Sequence, residues 1–93
     1  MEPEPFVIER IAPEAERYLA RLPRKTQQSI AQAFDEICRS PFAHSNPTTI
    51  KPLAGRYAGY WRFRLGGLRI IYNVNREART IRIVAIGPRG DIY

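Results

Sequence analysis

The sequence is poor in the residues from which disulfides and metal sites are built. It contains one cysteine, Cys38, and one histidine, His44. A single cysteine cannot form an internal disulfide, and His44 has no second histidine, nearby cysteine or suitably spaced carboxylate with which to bind a metal. No zinc-binding, P-loop, dinucleotide-binding or hydrolase-elbow motif occurs. We therefore expect no metal and no small-molecule cofactor, and we interpret Cys38 as a buried helix residue and His44 as an exposed loop residue.

Long hydrophobic runs are missing as well. No apolar segment approaches the ~20 residues that a membrane span requires, and the start of the chain, Met1-Glu2-Pro3-Glu4-Pro5, has the wrong charge for a signal peptide. A lone cysteine suits a reducing compartment. These features predict a cytoplasmic protein without a membrane partner. The length of 93 residues predicts a single domain that spans residues 1–93.

Acidic residues are scarce in the second half of the chain. Residues 1–50 contain six lysines and arginines against seven acidic residues, whereas residues 51–93 contain nine against two. The net charge of +6 therefore resides in the second half, which is also the half that carries most of the strand patterns. A basic surface of this kind indicates a nucleic-acid partner most often, and an acidic protein or an anionic membrane less often.

The clearest pattern in this basic half is a β-hairpin over residues 57–72. Apolar residues alternate with arginines from Trp61 to Leu65, which is typical of a half-buried strand. Gly66-Gly67 follows, and glycine readily takes the positive φ that a two-residue hairpin turn requires. With this turn, four cross-strand pairs are predicted: Leu65–Leu68, Arg64–Arg69, Phe63–Ile70 and Trp61–Tyr72.

The remaining elements complete an α+β fold. A short strand is expected over residues 6–11, a helix that begins at Pro13 and is ended by Pro23, and a second helix from about Arg24 to Arg39. A loop over residues 41–52 precedes the hairpin, and a turn at residues 75–79 leads into a last strand over residues 80–87. The predicted architecture is an N-terminal strand, an antiparallel two-helix hairpin and a three-stranded antiparallel meander, forming a twisted sheet with the helices on one face.

The alternation also predicts which residues share a face of the sheet. The helix-facing side should carry Trp61, Phe63, Leu65, Ile70 and Tyr72, extended by Ile81, Ile83 and Ala85. The opposite side should carry Arg62, Arg64, Arg69 and Arg82 together with Ile71, Val84 and Ile86. Aliphatic residues in this number favour the covering of this side by another chain. Like charges that face each other across strands are unfavourable, so the arginines favour a polyanion or an acidic partner on the same side.

These patterns together resemble the RelE/ParE toxin superfamily of toxin–antitoxin pairs. The resemblance covers nearly the whole chain and is carried by the order and spacing of four segments: 53–55 (Leu-Ala-Gly), 60–66 (Tyr-Trp-Arg-Phe-Arg-Leu-Gly), 68–72 (Leu-Arg-Ile-Ile-Tyr) and 83–93 (Ile-Val-Ala-Ile-Gly-Pro-Arg-Gly-Asp-Ile-Tyr). In its RelE branch the resemblance implies a ribosome-dependent, metal-independent endoribonuclease that cuts mRNA in the ribosomal A site. It also implies a cognate antitoxin, for which the charge of this chain favours an acidic segment that is partly disordered until bound.

The resemblance further assigns roles to individual residues. Arg69 matches the arginine that stabilises the phosphate, Arg89 the arginine that protonates or stabilises the leaving oxygen, and Tyr93 the tyrosine that orients or deprotonates the nucleophile and stacks on a base. Arg62 and Arg64 fall where RelE has lysines, and guanidinium groups bind charge but do not act as bases. Pro88 stands where many relatives have a histidine or lysine. The expected RNA-binding residues are Lys51, Arg62, Arg64 and Arg82.

Two other functions remain open at the level of sequence. The ParE branch shares the fold and inhibits DNA gyrase by binding it without catalysis, so the arginine face could bind protein or DNA. A degenerate member would only bind its antitoxin or nucleic acid. The presence together of Arg62, Arg64, Arg69, Arg89 and Tyr93 favours the endoribonuclease, whose partners would be the ribosome, mRNA and the antitoxin.

Overall fold

The chain folds into one five-stranded sheet with two helices against one face. The computed structural model describes residues 5–88. The elements are β1 (Val7–Ile11), α1 (Pro13–Arg21), α2 (Arg24–Arg39), β2 (Ile50–Pro52), a 3₁₀ turn (Gly55–Tyr57), β3 (Trp61–Leu65), β4 (Leu68–Asn75) and β5 (Thr80–Pro88). The strand order is β1-β5-β4-β3-β2, with β1 parallel to β5 and the other pairs antiparallel. The predicted α+β architecture is confirmed. We call the sheet face opposite the helices the outer face.

Prolines determine where the two helices begin and end. Pro13 lies in the first turn of α1, where its missing N–H costs no hydrogen bond. Pro23 directly precedes α2. The helix α2 buries Ile30, Ala33 and Ile37 against the sheet, and their i, i+3, i+7 spacing is that of an amphipathic helix.

A buried tyrosine links the central strand to the chain after α2. The hydroxyl of Tyr72, in the middle of β4, donates a 2.6 Å hydrogen bond to the carbonyl of Pro41. The side chain of Tyr72 is fully buried, and burial raises the pKa of its hydroxyl well above the ordinary value. The hydroxyl therefore stays protonated and remains a hydrogen-bond donor inside the core.

The central hairpin has the predicted register. Trp61 lies opposite Tyr72, Phe63 opposite Ile70, Arg64 opposite Arg69 and Leu65 opposite Leu68. In the turn, Gly66 has a φ of 57°, whereas Gly67 does not have a positive φ. This combination is that of a type II′ turn, in which glycine is favoured at the first central position.

A β-bulge in β5 changes the predicted faces of this strand. Tyr72 lies opposite Ile83, but Ile71 lies opposite Ala85, so Val84 is the extra residue. Beyond a bulge the alternation of side chains is inverted. Ala85 therefore lies on the outer face, whereas Ile86 lies opposite Ile70 and enters the core with 4% exposure. The predicted positions of Ala85 and Ile86 are wrong, and the outer face is less aliphatic than the sequence indicates.

Two further features differ from the predictions for residues 41–52. Strand β2 lies at the end of the predicted loop, and its Ile50 is buried opposite Phe63. His44 is not an exposed loop residue, because its side chain is only 20% exposed. Its ring lies edge-on to Phe63 at a centroid distance of 5.7 Å. The three-residue length of β2 is too short to produce a period of two in the sequence.

Candidate functional site

Four basic side chains lie close together on the outer face, and we call them the basic cluster: Lys51, Arg62, Arg64 and Arg69. Lys51 of β2 lies opposite Arg62 of β3, and Arg64 of β3 lies opposite Arg69 of β4. Directly opposed residues of antiparallel strands have their Cβ atoms about 4.5–5.5 Å apart. Three adjacent strands thus bring together four of the residues that the sequence predicts for the site.

The strands that carry the basic cluster contribute no acidic residue to it. Between residues 51 and 88 the sole acidic residue is Glu77, in the turn between β4 and β5. An opposed pair of like charges costs roughly 0.2–1 kcal/mol, and an anion bound over the pair removes this cost. The electrostatics of this surface therefore suit a phosphate backbone or a carboxylate-rich segment.

Arg62 and Arg69 are the most enclosed members of the basic cluster. The Nη1 atom of Arg62 donates hydrogen bonds to the carbonyls of Thr48 and Thr49, at 3.0 and 3.3 Å. Arg69 is half-buried and lies between Arg64 on β3 and Gly87 on β5. Because Gly87 has no side chain, β5 places none directly opposite Arg69. Arg64 is exposed.

The structure does not bring Arg82 together with the basic cluster. Arg82 lies opposite Asn73, which is four residues from Arg69 along β4, or roughly 13 Å of strand. Its Nε atom donates a 2.9 Å hydrogen bond to the carboxylate of Glu9. Together with Asn73 and Thr80, these two residues line a polar cleft at the opposite end of the sheet. The charge of Arg82 is thus balanced locally.

Two other arginines of the basic half cover aromatic rings. The guanidinium of Arg76 lies 3.9 Å from the ring centroid of Phe42, and that of Arg79 lies 4.2 Å from the ring centroid of Phe6. Such cation–π contacts stabilise the charge on an apolar surface. Both arginines belong to the turn between β4 and β5, so they contribute to packing there rather than to the basic cluster.

The remaining site residues of the sequence prediction are Arg89 and Tyr93. Both lie outside the described residues, so their roles stay predictions. The described part of β5 ends at Pro88, which lies opposite Leu68, next to the Gly87–Arg69 pair. Arg89 therefore follows in sequence directly after the strand position adjacent to the basic cluster.

The residues with metal-binding or nucleophilic potential lie elsewhere. Residues 5–88 contain no group of three or more His, Cys, Asp or Glu side chains that could hold a metal ion. Cys38 is partly buried against the core, and burial raises the pKa of its thiol, which disfavours the reactive thiolate. No helix in the same part of the chain is long and apolar enough to cross a membrane.

The loop before β2 contacts the basic cluster, although no residue of this loop was among the predicted site residues. The carbonyls of Thr48 and Thr49 accept hydrogen bonds from Arg62. Asn46 accepts a 3.0 Å hydrogen bond from the backbone N–H of Thr48, two residues on. This is the pattern of an Asx turn, which Asn-Pro-Thr favours. That tripeptide is the sequence signal for a structured loop here.

Comparison with known proteins extends these observations. A family model described as the ParE toxin of the type II toxin–antitoxin system parDE matches residues 10–93. Among characterised proteins, the chain is similar to toxin RelG of Mycobacterium tuberculosis, with 30% identity over 90 residues that cover 96% of this chain and 97% of RelG.

Solved structures show the same fold. The toxin–antitoxin complex RelBE2 of Mycobacterium tuberculosis contains a chain that matches with a TM-score of 0.76 and 28% identity, covering 94% of both chains. The archaeal RelE–RelB complex of Pyrococcus horikoshii matches with a TM-score of 0.74 and 26% identity, covering 96% of this chain and 99% of that one. The chain therefore belongs to the ParE toxin family of type II toxin–antitoxin systems, within the RelE/ParE superfamily.

Proposed function

We propose that this protein is a toxin that inhibits translation as a ribosome-dependent endoribonuclease, cutting mRNA in the A site. The observation that carries the proposal is the basic cluster, in which Lys51 opposes Arg62 and Arg64 opposes Arg69 on one sheet face. A single-stranded RNA backbone supplies a row of negative charges that such a surface binds. Enclosed cations are also the groups that stabilise a phosphorane transition state.

The proposed reaction uses the RNA's own nucleophile. The 2′-oxygen attacks the adjacent phosphorus and the bond to the 5′-oxygen breaks, which leaves a 2′,3′-cyclic phosphate and a 5′-hydroxyl. Arg69, half-buried beside Gly87, stabilises the charge that develops on the phosphate oxygens. Arg62, Arg64 and Lys51 bind the flanking backbone. Guanidinium groups remain protonated and take up no proton.

Two protons must move in this reaction: one leaves the 2′-hydroxyl and one reaches the leaving 5′-oxygen. By the family resemblance we assign the removal of the first proton to Tyr93 and the stabilisation of the leaving 5′-oxygen to Arg89, while water supplies the second proton. The ribosome supplies the remaining rate enhancement by holding the mRNA in the reactive geometry. Free mRNA should therefore be cut poorly.

The proposed regulator is a cognate antitoxin in the same compartment, the cytoplasm. The similar toxins of Mycobacterium tuberculosis and Pyrococcus horikoshii were each solved in a toxin–antitoxin complex. For this chain, the basic cluster favours an acidic antitoxin segment that is disordered until it binds. Since Ile86 lies in the core, charge contributes more to this proposed interface than the aliphatic content of the outer face.

A second candidate function is gyrase inhibition, because the matching family model is that of the ParE toxins. In that case the basic cluster is a binding surface without catalysis. A toxin that only binds its antitoxin is the third possibility, and growth inhibition on expression without the antitoxin argues against it.

A translation reaction on a defined mRNA, read by primer extension, tests the proposal. We expect cuts that require ribosomes and occur at fixed positions within codons. Arg69→Ala should lower the cleavage rate by about 10²-fold or more, whereas Arg17→Ala, which removes the same charge from an exposed position of α1, should not. Intact mRNA together with loss of supercoiling by purified DNA gyrase would assign the protein to the ParE mechanism instead. Binding to the antitoxin with neither activity would leave only the third possibility.

A further inference from the structure

A continuous path of hydrogen bonds runs from helix α2 to the basic cluster through residues 44–49, which we call the 44–49 loop. It begins at Glu36 of α2, whose Oε1 atom lies 2.9 Å from Nε2 of His44. The opposite ring nitrogen of His44, Nδ1, accepts a 3.0 Å hydrogen bond from the backbone N–H of Asn46. Because Nδ1 is an acceptor, the ring proton is assigned to Nε2, where it is donated to Glu36.

Asn46 is the next residue in the path and holds the turn by three hydrogen bonds. Its Oδ1 atom accepts from the backbone N–H of Thr48 at 3.0 Å and from the hydroxyl of Thr48 at 2.8 Å. Its backbone carbonyl accepts from the N–H of Thr49 at 3.1 Å. These hydrogen bonds fix the direction in which the carbonyls of Thr48 and Thr49 point.

Both carbonyls converge on the basic cluster. They accept hydrogen bonds from the same nitrogen, Nη1 of Arg62. The carbonyl of Thr49 also accepts a 2.8 Å hydrogen bond from the backbone N–H of Arg64. One end of the guanidinium plane of Arg62 is therefore held by the loop. A guanidinium is planar and its donors have a fixed geometry, so holding one end restricts the orientation of the whole group.

We propose that the 44–49 loop positions Arg62 for phosphate binding, with His44 and Asn46 as positioning residues that act through Arg62. An arginine side chain has many rotamers, and ordering them on binding lowers affinity. The loop orders this side chain before substrate arrives. His44 suits the task because its ring has a donor and an acceptor on opposite edges, and the ring is itself held edge-on against Phe63. The inference rests on the proposed function for its effect on cleavage, but not for the ordering of Arg62.

A double-mutant cycle tests the route through Arg62. In the otherwise native chain, Asn46→Ala should lower ribosome-dependent mRNA cleavage about tenfold. Asn46→Asp keeps the acceptor oxygens, so this variant should retain most of the native cleavage rate. In an Arg62→Met background, Asn46→Ala should change cleavage less than twofold, because the residue it positions is gone. An equal loss in both backgrounds would mean that Asn46 acts on stability or on another group, and would overturn the proposal.

Two substitutions of His44 test the role of its ring nitrogens. His44→Asn retains an acceptor near the position of Nδ1 but does not reach Glu36, whereas His44→Gln reaches Glu36 and leaves the N–H of Asn46 without its acceptor. The proposal predicts severalfold more cleavage by His44→Asn than by His44→Gln. The reverse order would show that the hydrogen bond to Glu36, and not the connection to the loop, is what matters.

A measurement without RNA separates this inference from the proposed function. NMR relaxation of the Arg62 Nε–H group reports the order of the guanidinium on the picosecond-to-nanosecond timescale. We expect a clearly lower order parameter in Asn46→Ala than in the native protein, with the order parameter of Asn46→Asp close to the native value. An unchanged order parameter in Asn46→Ala overturns the positioning role. If the native protein cuts no mRNA, the endoribonuclease proposal fails, and this measurement still decides whether the loop orders Arg62.

Discussion

Replacing Arg64 by glutamine tests whether the outer face is destabilised by its own charges. Arg64 lies directly opposite Arg69 on adjacent antiparallel strands, and an opposed like-charge pair costs about 0.2–1 kcal/mol. Arg64→Gln should therefore raise the free energy of unfolding by about this amount. For a chain of this size, 1 kcal/mol corresponds to about 4–8 °C in Tm, so a rise of roughly 1–8 °C is expected.

The matched control is Arg82→Gln, which removes the same charge from an exposed position of the same sheet face. Arg82 forms an exposed ion pair with Glu9, and such pairs contribute about 0–1 kcal/mol. Its loss should leave Tm unchanged or lower it. Thermal and urea unfolding in low salt measure both variants. In about 1 M salt the Debye length falls to about 3 Å, so the gain from Arg64→Gln should shrink.

Arg64→Gln should also weaken RNA binding, although it stabilises the fold. For a single strand, removing one cation that neutralises a phosphate reduces the slope of log affinity against log salt by about 0.7. Fluorescence anisotropy with a short RNA measures this slope.

The reasoning on stability is refuted if Arg64→Gln is no more stable than the native protein, or if Arg82→Gln stabilises the protein equally. The second result would show a general effect of net charge rather than a local repulsion.

Three further predictions concern the core and the hairpin turn. Tyr72→Phe should lower the free energy of unfolding by about 1–3 kcal/mol because it leaves a buried carbonyl without its donor. Tyr18 is a half-buried tyrosine of α1, so Tyr18→Phe should change this free energy little, and urea titration compares the two variants. Gly66→Ala should lower the free energy of unfolding by about 1 kcal/mol, because φ is 57° at this position, whereas Gly67→Ala should not. Thermal unfolding compares the two variants, and equal destabilisation would contradict this prediction. Burial raises the pKa of Cys38 above its ordinary value of 9.0, so the folded state favours the protonated thiol. The free energy of unfolding should therefore fall as pH rises above this value, and measurements from pH 8 to 10 should show a smaller fall in Cys38→Ala than in the native protein.

Local sequence determined the central hairpin and the helices of this protein. The alternation from Trp61 to Tyr72, interrupted by Gly66-Gly67, permits one register, because a shift by one residue would expose the whole apolar set. Pro13 and Pro23 restrict where the two helices start. These signals act between residues close in the chain, so they can be recognised without the tertiary structure. The opposition of Arg64 to Arg69 follows from them directly.

The tertiary structure decided how these elements combine into a site. The bulge at Val84 moves Ile86 into the core and Ala85 to the outer face, and no local pattern predicts it, since it depends on the pairing of β5 with β4. The same holds for Glu9, which meets Arg82 because β1 pairs in parallel with β5 across more than 70 residues of chain.

The surroundings of Arg62 were decided in the same way. Its carbonyl partners come from a loop 13 and 14 residues earlier in the chain, and that loop is hydrogen-bonded to helix α2 through His44. The sequence thus determined which side chains are basic and which strands carry them. Packing between distant segments decided that Arg62, Arg64 and Arg69 are gathered on one surface, whereas Arg82 lies apart from them beside Glu9.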